Sequence, residues 1–255
     1  MIDTCITGAS GFIGSHLLKR LSDSVIMDHG FISTNYDWYF DKVFFLSTYG
    51  NMAHHSDHRM MVQANVTDLL CALRNFNGWM CYMSSSSVTL PVQTPYSRSK
   101  RAAEEILQAL PELKSCIVRC YSVTGVGEQK EHLIPTLIRS CMEGEEMPFD
   151  PYPVHDFVDV DDVVDGLVRL SEKQSTGIFE FGTGIATTNQ KILNLVEKEC
   201  GRKANVRMSY NLRKYDDAHW RCKTYSSRDS SVWNPIKFVN QSITEMVEAY
   251  RRERS

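Results

Sequence analysis

The residues that most restrict this chain stand near its beginning. An apolar run, Ile2–Thr7, leads into Thr7-Gly8-Ala9-Ser10-Gly11-Phe12-Ile13-Gly14. Three glycines at that spacing between a strand and a helix permit a tight turn and let the main chain come close to an anion. The helix that follows, expected over about 12–21, would aim its first N–H groups at that anion. A second short strand, Ser24–Met27, ends at Asp28, 20 residues after Gly8. A carboxylate there can accept hydrogen bonds from adenosine ribose hydroxyls and would repel a 2′-phosphate. The expectation is a dinucleotide pyrophosphate on Gly8, Ser10, Gly11, Phe12, Ile13 and Gly14, with Asp28 favouring NAD over NADP.

Beyond this unit, short apolar runs alternate with amphipathic stretches. Lys42–Ser47, Trp79–Ser84, Ser115–Tyr121 and Gly177–Phe181 read as strands. Helices are expected over Met61–Leu73, Tyr96–Leu110, Leu133–Met142, Val160–Leu170, Asn189–Cys200 and Ile243–Arg252. Such alternation argues for the α/β class, a Rossmann-type doubly wound parallel sheet with helices on both faces. After Gly125 the pattern loosens, and a proline-rich segment, MPFDPYPVHDF, interrupts it. The expected plan is a nucleotide-binding domain over 1–125 and 154–183, with a small C-terminal substrate-binding lobe over 126–153 and 184–255.

Bulk properties remove several function classes. The 255 residues carry a net charge of −3 and no basic stripe, so nucleic acid is not an expected partner. No apolar run approaches the roughly 20 residues needed to span a bilayer. The start, MIDTCITGAS, has Asp3 and turns at Gly8, unlike a secretory signal. Eight cysteines form no CxxC pair and lie largely beside apolar runs. A cytoplasmic protein with reduced thiols is expected.

Residues 83–100 read MSSSSVTLPVQTPYSRSK. Tyr96 and Lys100 are four apart, so on a helix they share a face. A neighbouring ammonium favours the phenolate of a tyrosine, which then can take a proton from a substrate hydroxyl while a nicotinamide takes the hydride. A serine alongside would hold the substrate oxygen. A second YxxxK, Tyr210 with Lys214, follows no glycine turn and no serine strand, so order and context select Tyr96.

These motifs, in this order, resemble those of the extended short-chain dehydrogenase/reductases, the NAD-dependent epimerase/dehydratase group. DKVFFLSTYG, NVTDLLCAL, IVRCYSVTGVGE, DFVDVDDVVDGL, FEFGTG, Arg213-Lys-Tyr-Asp216 and WNP extend the resemblance over essentially the whole chain. It implies a Rossmann domain binding NAD and a nucleotide-sugar substrate in a small lobe. It implies Tyr96 as the base, Lys100 on the nicotinamide ribose, and Leu46 and Ser47 lining the cofactor. Counting from the strand end selects Ser86 as the assisting serine, while anchoring on Val88 selects Ser85; the count is preferred. Arg213 and Asp216 match a pair that faces the nucleotide of the substrate. Ser122 stands where an asparagine is usual and His155 where an arginine is common, both on the substrate side. A homodimer is implied as well.

Three departures bear on activity. Only twelve residues separate Asp28 from Asp41, and the loop between the serines and Tyr96 is shorter than usual. Ser87 and Val88 stand where the family's dehydratases and decarboxylases carry an acidic residue. The remaining constellations are plainer. His54, His55, Asp57 and His58 read as a polar loop opening a helix, and no metal is expected. Asp159, Asp161 and Asp162 read as helix-capping carboxylates. The expected activity is nucleotide-sugar epimerisation with hydride transfer at a sugar carbon. The alternatives are an NAD(P)H-dependent keto-sugar reductase and, further off, a non-catalytic NAD-binding scaffold.

Overall fold

The computed structural model describes residues 4–28, 39–52, 54–210 and 231–254. The chain runs β1 (Thr4–Thr7), α1 (Phe12–Arg20), β2 (Val25–Met27), β3 (Lys42–Phe45), α2 (His58–Val62), a π-helical turn (Gln63–Thr67), α3 (Asp68–Leu73) and β4 (Trp79–Ser85). A 3-10 turn (Ser86–Thr89), α4 (Pro95–Gln108), β5 (Lys114–Cys120), β6 (Ser122–Thr124), α5 (Leu133–Glu143), β7 (Met147–Phe149), β8 (Val154–His155) and β9 (Phe157–Asp159) follow. The last elements are α6 (Val160–Lys173), β10 (Gly177–Phe181), β11 (Thr187–Thr188), α7 (Asn189–Cys200), β12 (Val206–Met208) and α8 (Val239–Arg252).

Six strands form one sheet in the order β10-β5-β4-β3-β1-β2, and every neighbouring pair is parallel. The α/β, Rossmann-type sheet expected from the alternation is present. In β4 six of the seven residues, Trp79 to Ser84, are buried, the mark of a central parallel strand covered on both faces. From β1 the chain goes to β2 on one side and then returns to β3 on the other. Such a reversal opens a crevice outside the carboxyl ends of the strands, where α/β sheets bind ligands.

The described residues divide into two compact units. The first lies within Met1–Cys120, Val164–Phe181 and Ser227–Trp233, the second within Tyr121–Val163, Gly182–Ser226 and Asn234–Ser255. Each has its own apolar core. In the first, Cys5, Val43, Phe45, Met80, Tyr82 and Ile117 pack from the sheet against Leu69, Ala72, Ala103 and Leu107 from helices. In the second, Ile134, Leu137, Ile192, Val196, Ile243 and Val247 bring together one face each of α5, α7 and α8.

Local chemistry sets the element ends. The helix expected from Met61 begins at His58, because the Asp57 carboxylate accepts the N–H groups of Arg59 and Met60 at 2.9 and 3.0 Å. The final helix begins at Val239 rather than Ile243. Gly144 and Gly201 stop α5 and α7 in the left-handed conformation, with φ of +79° and +69°. The short pairs β6–β9, β7–β12 and β8–β11 within the second unit are absent from the sequence expectation. Strands of two or three residues show no alternation to read. Asp159 accepts the N–H of Asp161 at 2.9 Å, and Asp162 accepts those of Ile236 and Lys237 at 3.1 and 2.9 Å. Asp159 thus caps α6, whereas Asp162 serves main-chain donors of a distant segment.

Candidate active site

The glycine turn lies at the reversal between β1 and β3. Gly8 takes φ +69° and its carbonyl accepts the N–H of Gly11 at 3.0 Å. A Cβ on Gly8 would fall 2.8 Å from Ser47 N, and one on Gly14 would fall 2.1 Å from the Gly8 carbonyl oxygen. Both positions therefore need glycine, the first for its backbone conformation and its neighbour, the second because α1 starts against the turn itself. The Thr7 hydroxyl, fully buried, accepts the N–H groups of Leu46 and Ser47 at 3.1 Å each. It binds the end of β3 to the start of the turn. Gly11 caps α1 without a side-chain hydrogen bond to its first N–H groups. Ser10 and Gly11 are exposed, Phe12 and Ile13 half-buried, and Asp28 is exposed just past β2. A close-packed cradle with main-chain donors fits a pyrophosphate.

The helix that bears Tyr96 and Lys100 is positioned by its cap. Thr94 Oγ1 accepts the Ser97 N–H at 3.1 Å, and Ser97 Oγ accepts the Thr94 N–H at 2.8 Å. Pro95 occupies the first turn. This capping box sets the start of α4 at TPYS, and so puts Tyr96 on the first turn with Lys100 one turn below. The serine run divides its work. Ser84 Oγ donates to Glu104 at 2.5 Å. Ser85 Oγ accepts the Ser87 N–H at 3.2 Å and lies 2.9 Å from Ser87 Oγ, capping the 3-10 turn. Ser86 is buried, and its carbonyl accepts the Thr89 hydroxyl at 2.8 Å. The serine hydroxyl bonded to the Tyr96 phenol is that of Ser85, whereas the count from the strand end prefers Ser86. β4 runs one residue further than expected, through Ser85, before the chain turns.

The electrostatics depart from the sequence expectation. Burial pushes the Tyr96 phenol up to about 12, while hydrogen bonds from Thr48 and Ser85 work the other way. Burial is the largest influence on the phenol. Lys100 is 1% exposed. Its ammonium donates to the Met83 carbonyl at 2.8 Å and lies 4.8 Å from the centre of the Tyr82 ring. Burial lowers Lys100 to about 7, and the nearby Glu104 carboxylate opposes that fall. Desolvation therefore dominates at both groups.

Asn65, fully buried in the π-helical turn, belongs to the site although the sequence analysis does not single it out. Its Oδ1 accepts the Thr48 hydroxyl and the Tyr49 N–H at 3.0 and 3.1 Å. Its Nδ2 donates to the Tyr49 carbonyl and to Ser99 Oγ at 2.8 and 2.9 Å. One carboxamide thus ties the loop after β3 to the helix that carries Tyr96. The signal was a lone amide in the apolar stretch NVTDLLCAL. In the same loop His55 Nδ1 accepts the Gly50 N–H at 3.1 Å, and its ring stacks on Tyr49.

Of the expected substrate-side residues, Ser122 and His155 lie in the second unit, Ser122 Oγ being 3.4 Å from His155 Nδ1. Arg213 and Asp216 lie outside the described residues, as does Lys214. Tyr210 is 58% exposed.

Residues 81–182, which include the serine run, Tyr96 and Lys100, match the model of the NAD dependent epimerase/dehydratase family. UDP-glucuronic acid decarboxylase 2 of Arabidopsis thaliana is 22% identical over 303 residues, covering 97% of this chain and 68% of the relative. Among solved structures, MoeE5 in complex with UDP-glucose and NAD superposes with a TM-score of 0.86 at 20% identity, covering 99% of this chain and all of that one. UDP-glucose 4-epimerase of Thermotoga maritima with UDP-glucose gives 0.86 at 19% identity over 99% and 100% of the two chains. At these identities the structural likeness establishes the fold.

Proposed function

Taking the chain, through residues 81–182, as a member of the NAD-dependent epimerase/dehydratase family, we propose that it is an NAD-dependent nucleotide-sugar epimerase. The observation that carries the reading is the convergence on Tyr96. Its phenol meets Ser85 and Thr48, and its helix carries Lys100 one turn on. It stands at the carboxyl end of a parallel sheet that also bears the glycine cradle.

In this reading Gly8, Ser10, Gly11, Phe12, Ile13 and Gly14 hold the pyrophosphate of NAD, Asp28 the adenosine ribose, and Leu46 and Ser47 the path towards the nicotinamide. When bound, NAD accepts a hydride from the sugar and returns it, and its cationic ring opposes the rise in the Tyr96 pKa. Tyr96 takes the proton from the hydroxyl whose carbon is oxidised, while Ser85 hydrogen-bonds that oxygen. Lys100 orients the nicotinamide ribose. With the hydride restored on the opposite face of the sugar, Tyr96 would return the proton to the same oxygen. Ser122, His155, Arg213 and Asp216 contact the nucleotide portion. Ser87 and Val88, where an acidic residue would assist dehydration or decarboxylation, support epimerisation over either. A homodimer in the cytoplasm is part of the same reading.

A second reading has its own observation. β2 is a three-residue edge strand and Asp28 is exposed, which favours a reductase that exchanges NAD(P)H at each turnover. To separate the two, the purified protein is denatured and released nucleotide identified by mass spectrometry. The intact protein is then given UDP-sugars without added cofactor and followed by NMR. Stoichiometric NAD together with a new sugar epimer is expected. Conversion only with added NAD(P)H would assign the reductase, and no conversion under either condition would overturn the enzyme reading.

A further inference from the structure

We propose that Glu104 is a positioning residue for Lys100: a buried carboxylate that locks the helix bearing Tyr96 and Lys100 onto the two strands beneath it and favours the charged form of the lysine. The proposal rests on the reading of Tyr96 and Lys100 as the reactive pair.

Glu104 follows Lys100 by one helical turn, on the same face of α4, and is 2% exposed. Its carboxylate is fully occupied. Arg119, on β5, donates Nε to Oε1 and Oε2 at 3.0 and 3.2 Å and Nη2 to Oε2 at 2.5 Å. Ser84, on β4, adds its hydroxyl to Oε1. One side chain therefore joins α4, β4 and β5. Its anchor on β4 lies between Met83, whose carbonyl receives the Lys100 ammonium, and Ser85, which bonds Tyr96. Displacing Glu104 would shift the lysine, the tyrosine and the serine relative to one another.

The same arrangement sets the local charge. Around Lys100 stand Tyr82 of β4 under its ammonium, Tyr96 and Glu104 of α4, and Arg119 of β5. Glu180 of β10 lies 3.9 Å from Arg119, and the Cys120 thiol of β5 is near Tyr96. Tyr82 and Cys120 are neutral, since burial raises both. Glu104 is thus the carboxylate that supports the charge of Lys100, and Arg119 tempers it through the fork. A carboxylate gripped by one bidentate arginine in a poorly solvated site acts strongly on such a neighbour.

The opposing charges give opposite predictions, which a purely structural salt bridge would not. Lysine is labelled with 13C at Cε, and the Lys100 resonance, identified by its loss in Lys100→Arg, is titrated in the intact protein without substrate. Glu104→Gln should lower the Lys100 midpoint by about one unit or more, and Arg119→Met should raise it. The double variant removes both members of the Glu104–Arg119 ion pair together. It keeps the test available if a single variant fails to fold, and should give a midpoint below the wild type but above Glu104→Gln. An unchanged midpoint in Glu104→Gln or in the double variant, or shifts of one sign in both single variants, would overturn the proposal. Because the titration needs no turnover, its result is separate from whether any nucleotide-sugar is converted.

Discussion

The Lys100 ammonium donates to the main-chain carbonyl of Met83 at 2.8 Å, two residues before the serine that bonds Tyr96. This bond holds the lysine inside the fold at a site where burial, opposed in part by the Glu104 carboxylate, lowers its pKa from 10.5 to about 7. The sign of the linkage follows. Between about pH 7 and 10.5 the unfolded chain binds a proton at this lysine that the folded chain releases, so the Lys100 contribution to stability rises with pH across that window. Tyr96 acts oppositely above pH 10, since its folded pKa is raised to about 12. Urea unfolding of wild type and Lys100→Met at pH 7, 8, 9 and 10 should show the wild type gaining on the variant at each step. A constant difference would contradict the buried, proton-releasing lysine.

The glycine cradle offers a steric test. A Cβ at Gly14 would meet the Gly8 carbonyl oxygen at 2.1 Å, a main-chain atom that cannot rotate away. Gly14→Ala should cost about 1–3 kcal/mol of stability and weaken NAD binding by widening the turn. Equilibrium unfolding and calorimetric titration with NAD measure the two effects, and retention of both would contradict the tight packing of α1 on the turn.

The serine assignment is tested by a pair of variants. Ser85→Ala should lower kcat about tenfold to a hundredfold, through loss of a hydrogen bond to the reacting oxygen. Ser86→Ala should leave kcat within about twofold, because Ser85 is the serine that acts on the phenol. Tyr96→Phe should reduce kcat by about a hundredfold to ten-thousandfold while far-UV circular dichroism stays unchanged. Steady-state kinetics on the sugar identified as substrate reads all three.

Asn65 makes four hydrogen bonds with one buried carboxamide, joining the loop after β3 to α4. Asn65→Ala would leave the Tyr49 N–H and carbonyl without these partners, and should destabilise the protein by about 2 kcal/mol or more. Asn65→Asp replaces the donor to the Tyr49 carbonyl with a second acceptor and should destabilise it too. Denaturant unfolding reads the loss, and hydrogen exchange at Tyr49 should accelerate in both variants.

Much of this architecture is legible in order alone. The strand–turn–helix at residues 4–20 follows from glycines that no other residue could replace, and the start of α4 follows from the TPYS cap. Both depend on neighbours within a few residues, so a one-dimensional reading reaches them. The alternation of apolar runs with amphipathic helices likewise determined the parallel sheet, because burial on both faces leaves its mark within each strand. What the tertiary structure decided lies between segments far apart in the chain. It set Ser85 rather than Ser86 against Tyr96, Asn65 at the junction of a loop and a helix, and Glu104 in the fork of Arg119. It also made burial the largest influence on the Tyr96 phenol. Spacing places two side chains on one face of a helix, but the shift of a pKa depends on how much water the surrounding elements exclude, and only packing sets that.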